Sequence, residues 1–402
     1  MNDIKWTANS LPKTDDRNLA LLSIEHAKEV INFHKSFPQY GETPLVNLNQ
    51  MAKHLGLKNV FVKDESYRFG LNAFKVLGGS YAIAKYIADK LGRDISEVPY
   101  NVLTSDALRE EFGQGTFFTA TDGNHGRGIA WAANKLKQKC VVYMPIGTTQ
   151  TRLEHVLREN AQASIEPLNY DDCVRKAAGE ADATENGVII QDTAWEGYEE
   201  IPTWIMQGYG TMALEADQQL NESGCERPTH VFVQAGVGSL AGAVQGYFAN
   251  RYPGNEPKVI VAEADIAACL YAGAIAGDGE PRTVGGDMLT LMNGLACGEP
   301  STIAWDILRN HVNTFSACPD WVTAKGMRLL AAPMKGDLPV TAGESGAVTM
   351  GLLYTIMTDD TYIDLRNHLG LDENSSVLLF STEGDTDPGR YQSVVWDGEN
   401  SL

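Results

Sequence analysis

Short apolar runs rich in Val, Ile, Phe or Thr recur at 59–64, 116–121, 140–145, 187–191, 230–235, 258–263 and 377–382, each closed by Gly, Asp or Pro. Their length and β-branched content predict strands. Between them, apolar residues return at i, i+3 and i+4 and are bounded by capping residues. This spacing predicts helices over 18–35, 73–90, 124–137, 150–160, 201–220, 239–250, 320–332 and 344–358. Strands alternating with amphipathic helices are the pattern of a parallel sheet covered on both faces, so the fold class is α/β with open, mostly parallel twisted sheets flanked by helices. The run 101–194 reads as a small βαβαβ unit, and a long helix beginning near Ile201 carries the chain back. Two domains are therefore expected: a large one from 1–100 and 195–402, and a small one over 101–194 that closes across a cleft. Ligands of such sheets sit beyond the carboxyl ends of the strands, which directs attention to the loops that follow them.

Composition narrows the classes. A chain of 402 residues, 43% of them hydrophobic, buries a large core. Lys and Arg number 32 against 52 Asp and Glu, a net charge of −20 with no basic cluster, which argues against a nucleic-acid partner. The first thirty residues have no basic start followed by an apolar run, and no stretch approaches membrane-spanning length, so a cytoplasmic protein without a membrane partner is expected. The six cysteines form no CxxC pair and no Cys/His spacing of the zinc kind, so no metal is expected. Cys269 and Cys297 bracket the Gly-rich stretch 273–298, where a disulfide is sterically conceivable but unusual in a reducing compartment.

Four segments carry candidate chemistry. In Asn72-Ala73-Phe74-Lys75-Val76-Leu77-Gly78-Gly79-Ser80, Asn72 can cap a helix whose opening turn holds Lys75. A lysine is ordinarily a solvated charge. The apolar, glycine-rich setting would desolvate this one, lower its pKa and free the amine to attack a carbonyl. The segment from Thr119 to Gly128 runs from a strand through a turn into a helix, and includes Thr121, Asp122, Gly123, Asn124 and His125. It reads either as a common Asp-Gly turn or as an anion clamp in which Asn124 donates to a phenolate oxygen.

Gly236, Val237, Gly238, Ser239 and Leu240 lie between the strand THVFVQ and a helix, where exposed N–H groups and the helix start suit a phosphate monoester. The same glycines would serve in a dinucleotide fold, but that reading leaves Lys75 and the Asn124 loop unexplained. In the fourth segment, Leu379 to Asp387, the last apolar strand ends in a hydroxyl at Ser381, with Thr382 adjacent. A hydroxyl on a pyridine nitrogen would leave the nitrogen unprotonated and favour elimination over transamination.

Together and in this order, the four segments resemble the fold type II pyridoxal-phosphate enzymes, the tryptophan synthase β-like family. The resemblance implies pyridoxal 5'-phosphate as cofactor, held as a Schiff base on Lys75. Gly236 to Leu240 would hold the phosphate, and Asn124 the ring oxygen. Thr121, Asp122, Gly123 and His125 would meet the substrate, and Ser381 the pyridine nitrogen. Within that family the chain is similar to the diaminopropionate ammonia-lyases through KDESYRFGLNAFKVLGGSYA, TATDGNHGRGIAWAA, QDTAWEGYEEIPTWIMQGY, LACGEPS, AGESGA and STEGDTD, from about Pro44 to Trp396. Threonine dehydratases have a small residue where this chain has Asp122.

The resemblance further implies α,β-elimination of a small amino acid, D- or L-2,3-diaminopropionate, through an aminoacrylate to pyruvate and two ammonia. Lys75 would reach one face of Cα and Asp122 the other, and Asp122 and Asp192 are the candidates to hold the distal amine. A homodimer is implied as well. The alternatives are a serine or threonine dehydratase on the same fold, a cofactor-binding protein without turnover and, more remotely, a dinucleotide-dependent oxidoreductase.

Overall fold

The computed structural model describes residues 3–401. Among the described residues eleven strands form two sheets: β1 Lys5–Ala8, β2 Leu45–Asn47, β3 Asn59–Asp64, β4 Thr116–Ala120, β5 Lys139–Met144, β6 Gln162–Ile165, β7 Gly187–Ile189, β8 His230–Gln234, β9 Lys258–Ala264, β10 Thr314–Cys318 and β11 Ser376–Ser381. The larger sheet has the order β1-β10-β9-β8-β11-β3-β2 and the smaller β6-β5-β4-β7. Only the edge strands β1 and β2 pair antiparallel; every other pairing is parallel. All residues of β8, β10 and β11 are buried, as a sheet covered by helices on both faces requires. The α/β class with mostly parallel sheets is thus realised. The carboxyl ends of β3, β8 and β11 lie side by side, Asp64 opposite Ser381, and the loops that leave them meet those leaving β4 and β7.

Four strands lie outside the sequence expectation. Three of them, β1, β2 and β6, are edge strands of three or four residues, too short for an apolar run to stand out. The fourth, β10, reads TFSAC, and its small polar residues disguise a fully buried strand. The expected helix over 18–35 is broken: a 3-10 turn spans Arg17–Leu22, and Ser23 then caps the helix Ile24–Lys35 by accepting from the His26 backbone N–H. The expected helix over 344–358 starts late, at Val348, because the preceding turn folds back on the last strand, with Gly343 N–H donating to the Glu383 carbonyl at 2.9 Å.

The most informative difference is at Lys75. Asn72 does not cap a helix; its backbone is left-handed, with φ 60°, and its side-chain amide donates to Asp385 at 3.0 Å. Phe74 N–H donates to the Thr382 carbonyl at 3.1 Å, Ala73 bridges Glu383, and the helix Val76–Lys90 begins only after the lysine. Lys75 therefore projects from the junction of a loop and a helix, and its loop is stitched to the end of β11. Glycines set this junction against its neighbours. A Cβ at Gly208, in the helix Glu200–Glu222, would lie 2.6 Å from the Leu77 carbonyl oxygen and 2.7 Å from Gly78 Cα. The two helices touch backbone to backbone there, immediately behind the lysine.

A buried ion network anchors the preceding turn. Arg68 donates to Glu65 at 2.8 Å and to Glu215 at 2.6 Å, and Lys63 reaches Glu215 at 2.8 Å. Two cations and two carboxylates, all nearly inaccessible, balance one another and tie the end of β3 to the helix Glu200–Glu222.

Candidate active site

A cavity lies where the loops from both sheets converge. Its wall includes Lys75, Thr121, Asp122, Asn124, His125, Asp192, Thr382 and Glu383, together with Gly236, Val237, Gly238, Ser239 and Leu240. Candidates separated by as many as three hundred residues of chain thus face one space. Two do not. Gly123 lies behind the wall, and Ser381 closes β11 with its hydroxyl 3.5 Å from the Glu383 carbonyl, so the late hydroxyl on the cavity is that of Thr382.

Lys75 donates from its amine to the Asp192 carboxylate. Burial opposes the ammonium charge, but the Asp192 carboxylate outweighs it and holds the lysine well above its ordinary value. This reverses the lowered value expected from the apolar sequence around Lys75, which concealed a carboxylate more than a hundred residues away. Asp192 itself, despite burial, is held down to about 2 by Lys75 and His125. It also accepts from Tyr170 Oη at 3.3 Å, and its backbone carbonyl accepts from the Ser239 hydroxyl. His125 is held below its ordinary value by burial, and its Nε2 lies 2.9 Å from the Ile190 carbonyl. A carbonyl can only accept, so Nε2 carries the proton and Nδ1 is left as an acceptor.

On another part of the wall, Asp122 accepts from Arg152 Nη1 at 2.8 Å. Asn124 donates to Glu383, whose other oxygen accepts from Ser345 N–H at 2.8 Å. Gln234, at the end of β8, donates to the Thr382 hydroxyl oxygen at 2.7 Å, which leaves the Thr382 proton free for a ligand.

The residues fit pyridoxal phosphate. Among the described residues, His125 Nδ1, Ser345 Oγ and Gln234 Oε1 are buried at this wall without a hydrogen-bond partner, as expected of groups arranged for a ligand. Gly238, with φ 98°, turns the chain into the helix Ser239–Arg251, and a Cβ at Gly236 would lie 3.0 Å from Cys297 Sγ. This narrow turn at a helix N-terminus is shaped for a phosphate. Cys269 and Cys297, on either side of it, are free thiols, as are the other four cysteines.

Comparison with known proteins agrees with this geometry. Residues 37–379 match the family model for pyridoxal-phosphate dependent enzymes. The chain is 52% identical over 384 residues to diaminopropionate ammonia-lyase of Salmonella typhimurium, with 95% of each chain covered. It is 46% identical over 382 residues to the enzyme of that name from Escherichia coli K12, with 95% and 94% covered. The chain belongs to the diaminopropionate ammonia-lyase family. Its fold superposes with a TM-score of 0.90 on the crystal structure of the Escherichia coli diaminopropionate ammonia-lyase in complex with an aminoacrylate-PLP azomethine reaction intermediate, at 42% identity and covering 99% and 98% of the two chains. Among the described residues no helix is long and apolar enough to cross a membrane, and no group of His, Cys, Asp and Glu is placed to hold a metal ion.

Several residues of this ammonia-lyase site escape sequence reasoning. Glu344 and Glu383 stand inside AGESGA and STEGDTD, segments that carried the resemblance without any role being read for their carboxylates. Gln234 is the last residue of the strand before the glycine turn. Arg152 has no local signal, since an arginine in a polar helix reads as a surface residue, yet its side chain is only 4% exposed.

Proposed function

We propose that the chain catalyses α,β-elimination of D- and L-2,3-diaminopropionate, which with one water gives pyruvate and two ammonia. The reading is supported by the family and above all by Asp122, a carboxylate on the cavity wall, at a position where the resemblance gives threonine dehydratases a small residue. Bound pyridoxal 5'-phosphate would supply an electron sink for the charge left at Cα when its proton is removed.

The chain's own residues do the rest. Gly236 to Leu240 hold the phosphate, Asn124 meets the ring oxygen, and the Thr382 hydroxyl, in place of the Ser381 first expected, donates to the pyridine nitrogen. Thr121 binds the substrate carboxylate, with Gly123 shaping the turn that follows, and His125 meets the substrate as an acceptor through Nδ1. Lys75 carries the cofactor and takes the Cα proton of the L-substrate on one face; Asp122 takes that of the D-substrate on the other, so both enantiomers are accepted. Asp192, which holds the Lys75 ammonium, turns to the substrate's distal ammonium once Lys75 is engaged.

The unit over 101–194 is read as the smaller domain, closing on the remainder. The proposed setting is a cytoplasmic homodimer. Six free thiols suit a reducing compartment, and dimers are common in the family the sequence resembles. Pyruvate release on D- and L-diaminopropionate, beside D- and L-serine and threonine, tests the activity. Fast turnover of both diaminopropionates is expected; preference for a hydroxy amino acid would make the protein a dehydratase.

A further inference from the structure

Arg152 is the residue whose burial the mechanism so far leaves unexplained. It lies in the helix Gln150–Leu157, whose first turn is fastened by Thr149, with its hydroxyl donating to Asp387 at 2.7 Å. From there the side chain runs beneath Gly123. A Cβ on Gly123 would stand 3.3 Å from Arg152 Cδ and 3.5 Å from its Cβ and Cγ, so the glycine leaves room for the stem directly behind Asp122. The guanidinium then forks, with Nη1 2.8 Å from Asp122 and Nη2 3.6 Å from Glu344.

Its place in the charge pattern is unusual. The Glu344, Asp122, Glu383 and Asp387 carboxylates all act on this one cation. Its shortest contact is to Asp122, and its Nε has no hydrogen-bond partner among the described residues. Burial pushes Glu344 up to about 7 and raises Glu383. Arg152 does not line the cavity, whereas Asp122 does. A planar fork gripped between two carboxylates fixes orientation as well as charge.

We propose that Arg152 is a positioning residue for Asp122, aiming its carboxylate into the cavity and thereby governing turnover of the enantiomer whose Cα proton Asp122 takes. The proposal rests on the two-face reading above. Because Glu344 lies in the chain beyond the small unit, the same guanidinium makes the aim of Asp122 depend on contact between the two sheet-bearing units.

The test measures kcat and KM for D- and L-diaminopropionate in the holoenzyme and in the variants R152Q, R152K, D122N and D122N/R152Q. In R152Q, kcat on the D-substrate should fall by about 10²-fold, the scale of a misplaced catalytic group, with KM little changed and L-turnover largely kept. R152K restores the charge without the fork and should recover part of that loss. Adding R152Q to D122N should cost the D-substrate nothing further, because the two act as a unit.

Equal losses on both enantiomers, a raised KM with kcat intact, or an additional D-specific loss in the double variant would each overturn the proposal. If R152Q does not fold, the D-to-L ratio of R152K decides in the same way. If D122N is D-selective and the Arg152 variants are not, the proposal alone fails. If D122N loses both activities equally, the two-face reading fails and takes the proposal with it.

Discussion

Lys75 and Asp192 form an ion pair at the floor of the cavity, the lysine from the junction before the helix Val76–Lys90 and the aspartate from the loop after β7. Each is buried enough that it would resist its charge alone; together they hold both charges at neutral pH. The lysine is thus stored as an ammonium. In the apoprotein of Asp192→Asn the chief counter-charge is gone and desolvation weighs more heavily, so the fraction of free amine at pH 8 rises. Trinitrobenzenesulfonate should then label Lys75 about tenfold faster or more than in the wild-type apoprotein, on the scale of one pKa unit. Equal labelling rates would show that Asp192 does not control the amine. Lys75→Ala should lose the visible cofactor band altogether.

The hydroxyl at the end of β11 gives a second prediction. Thr382 lines the cavity and receives Gln234 Nε2, whereas Ser381 faces away. Thr382→Val should shift the visible band of the holoenzyme and lower kcat by about tenfold or more, the cost of one lost hydrogen bond to a charged or reacting group. Ser381→Ala should leave band and kcat close to wild type. The reverse result would return the role to Ser381.

Behind the lysine, Gly208 offers a purely steric test. A Cβ there meets the backbone of Leu77 and Gly78 rather than a side chain that could swing away. Gly208→Ala should therefore cost about 1–3 kcal/mol in urea unfolding, and should weaken cofactor retention because the helix that follows Lys75 must move. Unchanged retention with lowered stability would mean that the shift is absorbed on the other helix.

How much of this was legible follows from the range of the interactions. The α/β alternation and the glycine turn at 236–240 are local patterns, readable because a buried strand and a helix start are written in consecutive residues. Thr121 to His125 and Lys75 were legible as segments. What Lys75 touches was not, since the partner of its amine lies on another sheet. The same holds for Arg152, which is indistinguishable in sequence from Arg158 six positions on, although Arg152 is buried between carboxylates and Arg158 is in solvent. The helix predicted from 73 starts three residues late for a similar reason: Phe74 N–H is taken by Thr382, a tertiary bond that no local propensity encodes.

The network behind the cavity gives a prediction in pH. Glu215 is held down to about 2, burial notwithstanding, by Arg68 and Lys63. A carboxylate whose folded value is depressed stabilises the fold fully above its unfolded value, near 4.3, and loses that contribution as pH falls through the folded value. Wild-type stability should therefore decline between about pH 4.3 and pH 2 in part through this group. Glu215→Gln removes the negative charge but leaves Arg68 and Lys63 buried with Glu65 as their remaining carboxylate partner in the network, and should cost about 3–5 kcal/mol at pH 7. The difference between the two proteins should narrow on acidification, because protonation does to the wild type what the substitution has already done. Urea midpoints at pH 7, 5 and 3 measure it, and a difference that stays constant with pH would mean that the cost comes from packing around the amide rather than from the lost charge.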